Sequence, residues 1–140
     1  MEKIIEKTIN DIGVPQKLLG YRYLEDAVSM ALEEDDVYGT LTKSIYPSIA
    51  KKYNKRPSSI ERNIRTAINY GWHNGDRTTF RKVFSSSGIV FKRAPTALEL
   101  IAAMKTYVLD KSQSSIFSES GISSEGFSNE MSQTDETGME

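Results

Sequence analysis

The segment from Pro57 to Trp72 constrains the fold most, because its apolar residues recur with the period of an α-helix. They form one stripe along that helix: Ile60, Ile64, Ala67, Ile68, Gly71 and Trp72. If the stripe is buried, the polar residues face outward: Ser58, Arg62, Arg65, Thr66 and Asn69. Ser58 followed by Glu61 has the form of a capping box, which predicts that the helix begins there. Outward cations and short hydrogen-bonding groups are the side chains that read base edges in a major groove.

The preceding segment predicts a partner helix. Its apolar residues repeat every four positions and predict a helix that ends near the last of them: Leu41, Ile45, Ile49 and Tyr53. Pro47 either kinks this helix or marks its beginning. Only residues 54–57 separate the two helices. A short turn between two helices, the second with a polar outer face, is the helix-turn-helix layout, although such pairs also occur in proteins that do not bind DNA.

The charges are unevenly distributed, although the whole chain carries a net charge of only −1. Residues 1–42 hold 4 Lys and Arg against 9 Asp and Glu, and residues 43–93 hold 12 against 2. Residues 94–111 balance at 2 against 2, whereas residues 112–140 hold 6 acidic residues and no cation. The basic block covers the predicted helix-turn-helix, as expected of a phosphate-binding surface. The alternative is a solvated basic surface that pairs with the acidic N-terminal part.

Four further helices are predicted around this pair: residues 2–12, residues 17–34, a short helix capped by Asp76, and residues 96–109 behind a capping box of Thr96 and Glu99. The apolar run from Ile89 to Phe91 is too short and isolated to predict a sheet. With about six helices and no convincing strand pair, the sequence predicts an all-α fold that contains a helix-turn-helix.

The composition changes at Ser112, after which Ser, Glu and Gly dominate. Such a segment buries too little apolar surface to offset the entropy of ordering it. We therefore expect a folded domain over residues 1–111 and a disordered acidic tail over residues 112–140. The tail is expected either to compete weakly with DNA phosphate for the basic block or to act only as a solubilising appendage.

The sequence lacks the residues and motifs that enzymes, metal sites and nucleotide-binding sites require. There is no cysteine, no glycine-rich phosphate loop, no clustered metal motif, and no set of nucleophile, base and orienting group. We expect no catalytic residues, no metal and no cofactor, and an exposed or capping role for His73, the only histidine. No apolar run is long enough to span a membrane and the charged start is unlike a signal peptide, so we expect a cytoplasmic protein that does not contact membranes.

Six stretches in chain order resemble the C-terminal DNA-binding effector domain of the sporulation response regulator, stage zero sporulation protein A. They cover roughly residues 4–109 and comprise residues 12–15, 20–24, 27–30, 42–54, 60–68 and 94–96. The resemblance implies a winged-helix-like effector of six helices without a clear sheet, which binds a short promoter box in double-stranded DNA as a head-to-tail homodimer. It also implies that the segment from Asn74 to Phe84 contacts the sigma factor of RNA polymerase.

The sequence departs from the family pattern in three ways. Family members usually carry an upstream phosphoacceptor receiver domain, whereas this sequence opens with the effector part, so we expect no phosphorylation switch within it. Ser59 stands where the family has an arginine, and the acidic tail is not a family feature. A rival interpretation is therefore a receiver-less protein-interaction module, used for dimerisation or sigma-factor contact, with weak or lost specific DNA binding. RNA binding is less well supported, because it usually needs exposed aromatic platforms.

Eleven residues are candidates for DNA contact. Those on the arginine-bearing helix are expected to face the bases: Ser58, Ser59, Glu61, Arg62, Arg65, Thr66 and Asn69. Those at the end of the preceding helix and in the turn are expected to contact phosphate: Lys51, Lys52, Lys55 and Arg56. For Glu61, capping, an ion pair with Arg65 at i+4, and acceptance of a hydrogen bond from cytosine all stay open.

Overall fold

The structure, a computed structural model of the 140-residue chain, describes residues 1–88 and 92–120. Its elements are α1 Glu2–Ile12, α2 Leu19–Ala31, α3 Val37–Thr40, a π-helical turn Leu41–Ile45, α4 Tyr46–Tyr53, α5 Pro57–Asn74, α6 Thr78–Val83, a 3₁₀ turn Ser85–Ser87 and α7 Ala97–Ser120. No strand occurs in the described residues, so the all-α prediction is confirmed. Helix α3, the π-helical turn and α4 follow one another without a break and together form one helical region. The described residues therefore contain six α-helical regions, as predicted.

The core is built on the apolar stripes that the sequence predicts. All six stripe residues of α5, from Ile60 to Trp72, are buried. The α1 residues Ile5, Ile9 and Ile12 are also buried, as are Ile101 and Met104 of α7. Helix α5 packs against both α2 and α4, while α1 packs against α2 and α6. The inner face of α5 is therefore covered, and its opposite face is left to solvent.

Pro47 explains the irregular start of α4. Proline lacks a backbone N–H, so it cannot donate to the carbonyl four residues earlier. The chain forms a π-helical turn at Leu41–Ile45, closed by a hydrogen bond from the Tyr46 N–H to the Leu41 carbonyl. Helix α4 then begins at Tyr46 with Pro47 in its first turn, where the missing N–H costs nothing.

Local signals correctly predict two of the helix ends. Gly13 ends α1 in the left-handed region, with φ 102°. Thr96 and Glu99 form the predicted capping box, in which the Glu99 N–H donates to the Thr96 hydroxyl at 3.1 Å and the Thr96 N–H donates to the Glu99 carboxylate at 2.8 Å. The predicted cap of α6 is wrong by one residue, because Arg77 lies at the cap position and makes no side-chain cap, although the Asp76 carboxylate accepts a hydrogen bond from the Thr78 N–H at 2.8 Å.

Other helix bounds differ from the prediction. Helix α2 is shorter than residues 17–34 at both ends, and at its C-terminal end the acidic run that follows opposes the helix dipole. Helix α7 does not end near Leu109 but continues to Ser120, because no glycine or proline interrupts that stretch. Residues 112–120 of the expected disordered tail are thus helical. Residues 121–140 and the apolar run 89–91 lie outside the described residues.

Residues Met1–Leu109 form a compact unit. The predicted domain boundary at residue 111 stays a prediction.

Candidate nucleic-acid interface

The turn between α4 and α5 is three residues long. Asn54 ends α4 in the left-handed region, with φ 58° and ψ 51°, a conformation that asparagine tolerates better than most residues. The Lys55 N–H then donates to the Ala50 carbonyl at 2.8 Å, which closes the end of α4. Arg56 is extended, with ψ 146°, and α5 begins at the next residue. The pair therefore has the short connection of a helix-turn-helix.

The predicted capping box at the start of α5 is wrong. The helix begins one residue earlier, at Pro57, and the residue before it, Arg56, makes no side-chain cap. Pro57 suits the first helical position because its φ is preset and its missing N–H would have no helical acceptor. Ser58 thus lies inside the helix rather than at its cap. Glu61 is released from the capping role, so only the ion-pair and base-contact alternatives apply to it.

The outward face of α5 carries the side chains that the sequence placed there. The exposed residues on this helix include six of the candidates: Ser58, Glu61, Arg62, Arg65, Thr66 and Asn69. Ser59 is only half-exposed, and its carbonyl accepts a hydrogen bond from the Asn63 side-chain amide at 2.8 Å. The helix therefore presents two arginines, one carboxylate and several short polar groups on one surface. The structure does not test which of these side chains contacts DNA.

Two charged residues of this surface lie close to each other and to a buried phenol. The Arg65 guanidinium lies 3.7 Å from the Glu61 carboxylate, and both side chains are more than half exposed. Tyr46, at the start of α4, is buried, and burial raises the pKa of Tyr46 to about 12, with a further increase from Glu61 and an opposing effect of Arg65. Tyr46 is therefore a neutral phenol at physiological pH, and the ion pair that influences it is screened by solvent.

The four expected phosphate contacts do not share one environment. Lys51, Lys55 and Arg56 are exposed at the end of α4 and in the turn. Lys52 is also exposed, but its ammonium lies 3.2 Å from both carboxylate oxygens of Asp26 on α2. The sequence analysis missed this partner, because 26 residues separate the two and no local pattern links them. The placement of the other three keeps them available for phosphate.

The comparison with known families decides the identity of the domain. The family described as sporulation initiation factor Spo0A C terminal matches residues 5–108. The chain belongs to this family. Its members are DNA-binding effector domains of transcription regulation in sporulation rather than enzymes, so the chain is a DNA-binding effector domain. The resemblance noted in the sequence is confirmed over nearly the same range.

The described residues contain neither a candidate metal site nor a candidate membrane span. Among the side chains that the structure describes, no group of three or more from histidine, cysteine, aspartate and glutamate is arranged to hold a metal ion. Within the same residues, no helix combines the length and the apolarity that crossing a bilayer requires.

Proposed function

We propose that this protein is a sequence-specific transcription regulator that reads a short promoter box through α5. The observation that carries the proposal is the two-sided character of this helix. One side is fixed by six buried residues, while the other presents Arg62 and Arg65 to solvent. A helix whose orientation is fixed by its core and whose free side bears arginines can place guanidinium groups against guanine edges in the major groove.

Charge supports the same surface. The basic block, residues 43–93, carries a net charge of +10 and contains α4, the turn and α5. Lys51, Lys55 and Arg56 flank the start of α5, where cations fix a reading helix by contacting phosphate. A regulator of this kind acts where the chromosome lies, in the bacterial cytoplasm.

We also propose two partners, for which the support is the family resemblance. One is a second copy of the chain, bound head to tail on DNA. The other is an RNA polymerase sigma factor, contacted through the segment from Asn74 to Phe84. On this segment α6 exposes Arg81 and Lys82, while Phe80 and Val83 face the core. The exposed side of α6 is therefore cationic.

The experiment that tests the proposed function is selection of random duplexes by the purified protein, followed by sequencing. A sequence-specific regulator enriches one short box, and its affinity for that box exceeds its affinity for scrambled duplex by about a thousandfold or more at physiological salt. Enrichment of no motif, together with equal affinities for box and scrambled duplex, would contradict the proposal. That result would leave the protein-interaction alternative standing.

A further inference from the structure

Three side chains form a cluster, which we call the brace, between α2 and the end of α4. Asp26 accepts a hydrogen bond from the Tyr53 hydroxyl at 2.6 Å and two from the Lys52 ammonium, each at 3.2 Å. The Tyr53 ring lies 5.1 Å from the Tyr23 ring, centroid to centroid, and the Lys52 ammonium lies 5.2 Å from the Tyr53 ring centroid. The two α4 residues are thus tied to one carboxylate and one aromatic ring of α2.

The protonation states suit this cluster. The hydrogen bond to Asp26 raises the pKa of Lys52, so the ammonium stays charged. Burial, and then the hydrogen bond to Asp26, raise the pKa of Tyr53, so the phenol keeps its proton to donate. The Asp26 side chain is only 18% exposed, against 54% for Lys52. The acceptor is thus mostly covered by the protein, whereas the lysine that donates to it is largely exposed.

The brace lies directly before the turn that leads into α5. Asn54 follows Tyr53, and two backbone hydrogen bonds of the turn return to the last turn of α4. The other end of α2 meets α5, where Gly20 lies against the backbone of Asn63. Helix α2 therefore supports both helices of the helix-turn-helix, one through Gly20 and the other through Asp26. Because α2 contacts both helices, it can fix the angle between them.

We propose that Asp26 is a positioning residue for DNA reading: through Tyr53 and Lys52 it holds α4 at the angle that aims α5 at the bases. Lys52 then belongs to the brace and does not contact phosphate, unlike its neighbour Lys51. This inference rests on the proposed function, because it assigns a specificity-determining residue to the same surface. It separates two adjacent lysines that the sequence alone treats alike.

The experiment compares three single variants in the full chain on the selected box and on scrambled duplex, over a range of salt. Tyr53→Phe removes one hydroxyl and no charge, Lys52→Gln removes the ammonium, and Lys51→Gln is the matched control. We expect Tyr53→Phe and Lys52→Gln to lower the ratio of specific to non-specific affinity about three- to tenfold, as for a lost hydrogen bond, with little change in salt dependence. Lys51→Gln should weaken both duplexes alike and reduce the salt slope by about 0.9.

The role of Asp26 is tested by repeating the first two substitutions in an Asp26→Ala background. Both should lose their effect there, because the shared acceptor is gone and coupled residues are not additive. Full effects of both substitutions in that background would overturn the inference. The inference would also be overturned if Lys52→Gln behaved like Lys51→Gln, with the same reduction of the salt slope and an equal loss of affinity for both duplexes. Lys52 would then contact phosphate.

Amide hydrogen exchange tests the brace in the protein without DNA. Tyr53→Phe should speed exchange at the N–H groups of Asn54 and Lys55 several-fold, because the end of α4 opens more often. Unchanged exchange at both amides would overturn the inference. The native chain could show no box preference while the exchange rates respond as expected. The proposed function would then fail, and the brace would only link α2 to α4. That outcome also overturns the role of Asp26 in DNA reading.

Discussion

A Cβ atom at residue 20 would lie 2.1 Å from the carbonyl oxygen of Asn63, so only glycine fits where α2 crosses α5. The same atom would lie 2.7 Å from the Cβ of Ala67. Neither obstacle can rotate away, since one is backbone and the other is a side chain of a single carbon. The close approach of α2 and α5 therefore depends on glycine at residue 20, and the position of α5 depends on that approach.

The first prediction follows from this contact. We expect Gly20→Ala to lower the free energy of unfolding by about 3 kcal/mol, because the helices must separate to admit the methyl group. Gly88→Ala is the control: Gly88 has φ 70° and no neighbouring heavy atom within 4 Å of the added carbon, so backbone strain alone should cost about 1 kcal/mol. Urea unfolding followed by circular dichroism measures both. A loss at residue 20 no larger than at residue 88 would show that the crossing adapts.

The second prediction concerns base reading. We expect Arg62→Ala and Arg65→Ala each to cost about 1–3 kcal/mol on the selected box and to relax the preference at one or two base pairs. Both arginines are exposed on α5, and Arg65 forms a surface ion pair with Glu61. Arg81→Ala, on the exposed side of α6, is the control and should keep the box preference. Unchanged preference in both α5 variants, measured by competition with single-base variants, would refute the assignment.

Periodicity predicted the face of α5 because the pattern reports burial directly. The six apolar residues of the stripe lie in the core, and the polar residues between them are exposed except Asn63, which is half-buried. The start of the same helix was predicted wrongly. Serine is a common cap residue, which favoured Ser58, but Pro57 occupies the first helical position and Arg56 is extended before it. Two local signals competed, and the backbone restriction of proline prevailed.

The contacts between residues far apart in the chain could not be predicted from the sequence pattern. Asp26 and Lys52 lie far apart in the chain, and nothing in either segment shows that they meet. The requirement for glycine at residue 20 likewise appears only when α5 lies against it. Contacts of this kind depend on how the helices cross, which periodicity does not specify. Such contacts help to fix where α5 lies, whereas periodicity indicates which side chains its outward face carries.

The third prediction concerns the capping box of α7. Thr96→Ala should destabilise the protein by about 1 kcal/mol, because the Glu99 N–H loses its acceptor. Glu99→Gln keeps an oxygen for the Thr96 N–H but loses the charge. Hydrogen bonding to Arg93 is the largest cause that lowers the pKa of Glu99, so the stabilising effect of the charge is present above the unfolded value of about 4.3.

The pH dependence follows from that sign. As the pH falls through the lowered folded pKa, Glu99 takes up a proton and the native chain loses the contribution of the charge. The difference in unfolding free energy between the native chain and Glu99→Gln should therefore shrink below about pH 4, whereas the effect of Thr96→Ala on the hydroxyl acceptor should persist. Urea unfolding between neutral and acidic pH measures both differences. A Glu99→Gln difference that stays constant across this range would exclude a role of the charge.

The last prediction concerns specificity. Ser59 lies in the first turn of α5, is half-exposed and is too short to reach the base edge that an arginine would reach. We expect the native chain to prefer a weaker or shifted version of the family's promoter box, and Ser59→Arg to move the preference back toward it. Ser59→Ala is the control, because it removes the hydroxyl without adding a cation. Competition binding with the family box and its single-base variants measures the shift. The idea fails if the native chain already prefers that box and Ser59→Arg adds nothing, because a longer side chain at this position would then have no base to read.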